Sequence, residues 1–141
     1  MSRKILTYII APYTADTSEG IQANVDYATK LAAKINDAGK GKIWAVCVHP
    51  MGHAVNKIMN SKPPESFWYE GDIELIKHCD VVVVGKGWKS SFGCCNEVDI
   101  AQSLGIPVIF HEITVKTTVE NIFCWLKKKD KETRTLKQSE K

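Results

Sequence analysis

Residues 80–93 read DVVVVGKGWKSSFG. Val81 to Val84 are four consecutive β-branched residues, the pattern of a short strand buried on both faces, as in a parallel sheet. Asp80 stands at the amino end of that strand. Gly85 to Gly93 form a glycine- and serine-bearing loop. A short helix is expected from about Cys94 to Leu104, ended by Gly105. A buried strand that passes through a glycine-bearing loop into a helix is the unit from which open α/β sheets are built.

The same unit recurs on either side. Ile5 to Ala11 is an apolar run closed by Pro12 and reads as a first strand. Arg3 and Lys4 precede it, but no small-residue cleavage site follows, so it does not read as a signal peptide. Ile21, Val25, Ala28, Ala32 and Ile35 recur at helical spacing, predicting a helix from about Ser18 to Ala38 with Gly39 as its stop. Ile43 to Val48 is the second strand. Pro50 to Pro64 is polar and long for a structureless loop, which marks it as functional, mobile or partly helical. Helical spacing returns from about Glu65 to Cys79. After the central strand and its helix, Ile106 to Phe110 is the fourth strand. A capping box, Thr117 and Glu120, is expected to open the last helix, whose apolar stripe is Val119, Ile122, Phe123 and Leu126.

Four alternations of strand and helix predict an α/β fold: an open, mostly parallel sheet with helices on both faces, Rossmann-like and flavodoxin-like in its three layers. Ligands in such folds bind at the carboxyl ends of the strands. That edge receives Pro12 to Asp16, His49 to Asn60 and Gly85 to Glu97, and can receive the region near Glu70 and Asp72. It does not receive Asp80.

Composition bounds the function classes. The chain has 141 residues, 44% hydrophobic and 25% charged, as in an ordinary globular domain. Its formal net charge of +3 is unevenly spread. Residues 127–141 hold seven basic and three acidic side chains, and residues 1–126 hold 12 and 13. The expected organisation is therefore one domain, 1–126, followed by a basic, unstructured tail, 127–141. A solubilising role for that tail is favoured over nucleic-acid contact, and the body carries no basic face for a nucleic acid. No apolar run approaches the roughly 20 residues of a membrane span. Five cysteines, two of them adjacent and none in a Cys-x-x-Cys pair, fit reduced thiols in a cytoplasmic protein.

Several residues could carry chemistry. Glu97 falls in the first turns of a helix behind a glycine- and serine-bearing loop, where helix amides favour a negative charge; a carboxylate there can act as a nucleophile. A dipole partner is the plainer reading. Asp72 is the second carboxylate, against a plain reading as a solvated or capping residue. The 85–93 loop offers hydroxyls, free amides, Lys86 and Lys89 for an anion such as phosphate, without the spacing of a Walker or dinucleotide loop. Trp88, Tyr13 and Trp68 could stack on a flat ring, with core or interface favoured for Trp68. His49 and His53 are four apart, but Pro50 between them argues against a helix, and no further ligand completes a metal site. No metal is expected. A Cys-His nucleophile built on Cys94 or Cys95 has no supporting spacing.

Three segments taken together resemble the nucleoside 2-deoxyribosyltransferases. Tyr8-Ile-Ile-Ala-Pro-Tyr13 resembles their first strand and loop. Asp72, Leu75 and Cys79-Asp80-Val-Val-Val-Val84 resemble their middle segment. Ser91-Phe-Gly93, Glu97, Ala101 and Gly105-Ile-Pro-Val108 resemble their last motif. Gly87-Trp88 and the Ser91-x-Gly93-x-x-x-Glu97 spacing bring the chain closer still to a phage and bacterial domain family allied to those enzymes. The resemblance implies cleavage or transfer of the N-glycosidic bond of a (deoxy)nucleoside or its 5′-monophosphate, with Glu97 as nucleophile, Tyr8 orienting it and Asp72 near the nucleobase. It implies substrate contacts from Pro12, Tyr13, Gly87, Trp88, Ser90, Ser91 and Gly93, no cofactor, a small-molecule nucleoside or nucleotide as partner, and a homo-oligomer. The transferases carry an aspartate where this chain has Ser91, and Ser90 with Ser91 beside Lys86 and Lys89 resembles instead the phosphate-holding serine of nucleoside 5′-monophosphate glycosidases. A catalytically silent nucleotide-binding module on the same fold is the alternative.

Overall fold

The computed structural model describes residues 3–139. Four strands form one parallel sheet in the order β2 (Ile43–Val46), β1 (Ile5–Ile10), β3 (Val81–Val84), β4 (Val108–Phe110). Tyr8 pairs with Val46 on one side and Val82 on the other, so β1 and β3 are interior strands. Side chains alternate across a strand, and here both faces are covered. Ile9, Val81, Val83 and Ile109 bury against α1 (Ser18–Ala38) and α5 (Val115–Ser139). Tyr8, Ile10, Val82 and Val84 bury against α3 (Glu65–Lys77) and α4 (Phe92–Ser103). The result is the three-layer α/β fold that the alternation predicts.

Local chemistry sets the element ends. Thr17 caps α1, its hydroxyl accepting from the Gly20 amide at 3.0 Å. The α1 stripe of Val25, Ala28, Leu31, Ala32 and Ile35 is buried on the sheet. Asp80 lies at the amino edge, accepting from the Leu6 amide at 2.8 Å and pairing with Arg3 at 2.7 Å, which ties β1 to the start of β3. It stands at the opposite edge from the ligand-binding ends, as its sequence position requires.

Three expectations are corrected. Residues 48–58 form a helix, α2, that carries both His49 and His53. Pro50 does not prevent it, because Pro50 is its third residue and a first-turn amide needs no intrahelical partner. The last helix starts at Val115 rather than at a Thr117 cap: the Thr114 hydroxyl accepts from the Thr117 amide at 3.1 Å, three residues on, as an N-cap does. That helix also continues to Ser139, so residues 127–139 are helical where an unstructured tail was expected. Lys, Glu, Arg and Leu are good helix formers and extend a helix already nucleated on the body. Residues 127–139 are exposed throughout. Residues 140 and 141 of that segment lie outside the described residues. Among the described residues, no helix is long and apolar enough to cross a membrane.

Candidate active site

The chain runs from β1 to β2 on one side, then crosses to β3 on the other. The carboxyl ends of β1 and β3 therefore form a topological switch point, where a crevice opens above the sheet. Two adjoining cavities occupy it. The first, about 380 Å³, lies between the β1 loop, α2, α3 and the start of α4. The second, about 630 Å³, lies beside it over the 87–93 loop. Thr14, Glu65, Tyr69, Ser91 and Gly93 line both.

Glu97 and Asp72 line the first cavity from α4 and α3. Burial pushes the Glu97 carboxyl up to about 8, with the Asp72 charge adding to the shift and a hydrogen-bond interaction with Tyr8 opposing it. Burial alone pushes Asp72 up to about 6. One carboxylate thus resists the ionisation of the other, and near neutral pH the pair holds about one proton. Tyr8 rises from the middle of β1 beneath Glu97 and is 1% exposed. Its phenol is raised well above the ordinary tyrosine value by burial and by the two carboxyls above it, so it remains a hydrogen-bond donor.

The cavity wall is aromatic. Tyr13 holds a hydrogen bond at 2.9 Å between its hydroxyl and His53 Nδ1, and its ring meets His49 edge-on at 6.1 Å. His49 donates from Nε2 to the Ala11 carbonyl at 2.6 Å, and burial lowers its pKa, leaving a neutral ring. Trp68 and Tyr69 face the same space from α3. Flat rings around a pair of carboxyls suit a flat, partly polar ligand.

The loop after β3 depends on glycine. Gly87 has φ +84°, a left-handed conformation that L side chains rarely adopt. Ser91 caps α4 by accepting from the Cys94 amide at 3.3 Å, which leaves its own hydroxyl proton to donate. Pro12, Gly87 and Ser90 line the second cavity.

The residues singled out from the sequence divide as follows. Glu97, Asp72, Tyr13, Ser91 and Gly93 line the first cavity and Tyr8 lies under it; Pro12, Gly87 and Ser90 line the second. Trp88 lines neither: its ring packs on Phe110, 5.2 Å between centroids, and belongs to the layer beneath. Trp68, expected in a core or interface, is in the wall. His49, His53 and Asn56 lie in the 49–60 segment expected at this edge, though no substrate role was assigned to them, and Glu65 and Tyr69 were not among the expected site residues. Glu65, Trp68, Tyr69 and Asp72 recur at helical spacing, a signal that the sequence did carry. Among the described residues, no group of three or more His, Cys, Asp or Glu side chains could hold a metal ion. All five cysteines are free thiols, and burial raises Cys94 to about 11, where it is no nucleophile near neutral pH.

A parallel α/β domain with paired carboxyls at its switch point defines a class of ligand-binding or catalytic domain. The chain belongs to the family described as "Domain of unknown function (DUF1937)", whose model matches residues 5–113. No curated protein matches the sequence. In fold, the chain is similar to a solved 2-deoxyribosyltransferase from Bacillus psychrosaccharolyticus, with a TM-score of 0.53 and 18% identity over 77% of this chain and 76% of that one.

Proposed function

We propose that the chain is an enzyme that cleaves or transfers the N-glycosidic bond of a nucleoside or nucleoside 5′-monophosphate, with Glu97 as nucleophile. The observation that carries this reading is the Asp72–Glu97 pair, two half-buried carboxyls sharing about one proton in an aromatic-walled cavity at the switch point. Its fold is similar to that of a 2-deoxyribosyltransferase.

The chemistry follows from the charges. A sugar losing its base develops positive charge at C1′ and the ring oxygen, as in glycoside hydrolysis. The Glu97 carboxylate attacks C1′ while the C1′–N bond breaks, and the departing base keeps the bonding electrons. The Asp72 carboxyl gives its proton to that base. The sugar is then esterified to Glu97. An acceptor, either water or a second base, attacks C1′, displaces the carboxylate and returns a proton to Asp72. Tyr8 donates its hydroxyl proton to Glu97 and fixes the carboxylate's orientation. Trp68, Tyr13 and Tyr69 hold the base by its faces.

The test is to incubate the protein with the deoxynucleosides and their 5′-monophosphates and to measure free base. Release is expected, and Glu97→Ala is expected to lower it by at least about 10³-fold, as for loss of a covalent nucleophile. Equal release by Glu97→Ala and wild type would sink the mechanism. Tight nucleotide binding without turnover over hours would point to the silent binding module.

A further inference from the structure

The second cavity adjoins the first and shares five lining residues with it. Its lining is apolar over most of its area, as in the first, but its polar groups are hydroxyls and an amide, from Thr14, Ser66, Ser90, Ser91 and Asn96, with Glu65 and with no histidine and no tryptophan. It also carries Phe92, which is 84% exposed at the rim although large and apolar.

Resting on the reading of Glu97 given above, we propose that the substrate is a dinucleotide, with the reacting nucleoside in the first cavity and a second nucleoside, joined through the 5′-oxygen by phosphates, in the second. Three observations on this chain combine. The cavities adjoin across Thr14, Glu65, Tyr69, Ser91 and Gly93, which line both, so one ligand can span them. Phe92 offers an open ring face on which a second base can stack, and every base has such a face. The polar groups in its wall suit a second sugar, with Glu65 accepting from sugar hydroxyls and the Asn96 amide able to donate and accept. Ser91 and Gly93 line both cavities, so the linking phosphates lie over them, where the Ser91 hydroxyl can turn to donate its proton. Lys86 and Lys89 are exposed on the same loop.

The test compares free-base release from a deoxynucleoside, its 5′-monophosphate and a 5′–5′ diphosphate-linked dinucleotide with the same base, across all four bases. The dinucleotide is expected to show kcat/KM at least tenfold above the nucleoside. Phe92→Ala is expected to cut that ratio at least fivefold. Equal kcat/KM for nucleoside and dinucleotide, or a ratio unmoved by Phe92→Ala, overturns the proposal and leaves the Glu97 reading standing. If no substrate releases base, the Glu97 reading fails, and the second cavity is judged by binding alone. Dinucleotide binding at least tenfold tighter than nucleoside binding, weakened by Phe92→Ala, then supports it; equal affinities overturn it.

Discussion

Glu97 and Asp72 govern pH behaviour in two ways. The reactive form needs Glu97 ionised and Asp72 protonated, the reverse of their own preference, since Asp72 titrates near 6 and Glu97 near 8. Below about 6 both carry protons and no nucleophile is present; above about 8 both are ionised and no acid remains. The pH profile of kcat/KM is therefore expected to be bell-shaped with limbs near those values; a flat profile from pH 5 to 9 would contradict it. The same shifts bear on stability. Both carboxyls bind protons more tightly folded than unfolded, so their cost is absent below about pH 4 and complete above about pH 8. Glu97→Gln removes the buried charge and is expected to stabilise the fold by about 1–3 kcal/mol at pH 8.5, with less effect at pH 5. Thermal denaturation at the two pH values checks this. The position of Glu97 behind a glycine loop is legible in the sequence; its raised pKa is not, because that depends on Asp72 and on burial contributed by a different helix.

At the scale of elements, the end of β3 is held by an unusually close neighbour. A Cβ on Gly85 would lie 2.9 Å from the Tyr27 ring, and the Tyr27 hydroxyl accepts from the Lys86 amide at 2.8 Å. Tyr27 on α1 thus positions the first residues of the 85–93 loop. Gly85→Ala is expected to displace that ring, destabilising the protein by about 1–3 kcal/mol and lowering activity with it. Urea denaturation checks the first and base release the second. Elements with one clear period were legible: the apolar runs of β1 and β3, and the three-and-four stripe of α1. α2 was not. Val48, Met51, Val55 and Ile58 do recur at helical spacing, but Pro50 masks the pattern, and the helix is possible because Pro50 falls in the first turn, where a missing amide costs nothing.

For the whole molecule, the basic extension is separable from the fold. Residues 127–139 are exposed throughout, and Lys129 acts only as a distant favourable charge on Asp80. Ending the chain at Leu126 is expected to change stability by less than about 1 kcal/mol, since exposed positions contribute little. It would also remove seven basic and three acidic residues, turning the net charge from +3 to −1. A melting temperature lowered by 8 °C or more would show that the extension is part of the fold. The family match ends at residue 113, before this helix begins.

The sequence by itself determined the parallel three-layer sheet, because burial on both faces needs unbroken β-branched runs and parallel strands need helical crossovers. It also determined which loops lie at the ligand-binding edge. Only the tertiary structure decided which side chains share that edge. Asp72 and Glu97 are 25 positions apart on different helices, and their mutual influence exists only when α3 and α4 pack on the same face of the sheet. It decided equally against Trp88, which sits in the right loop with its ring turned onto Phe110, and in favour of Trp68, whose wall position depends on how α3 lies against α2. Periodicity records whether a residue is buried; it does not record which distant residue it is buried against.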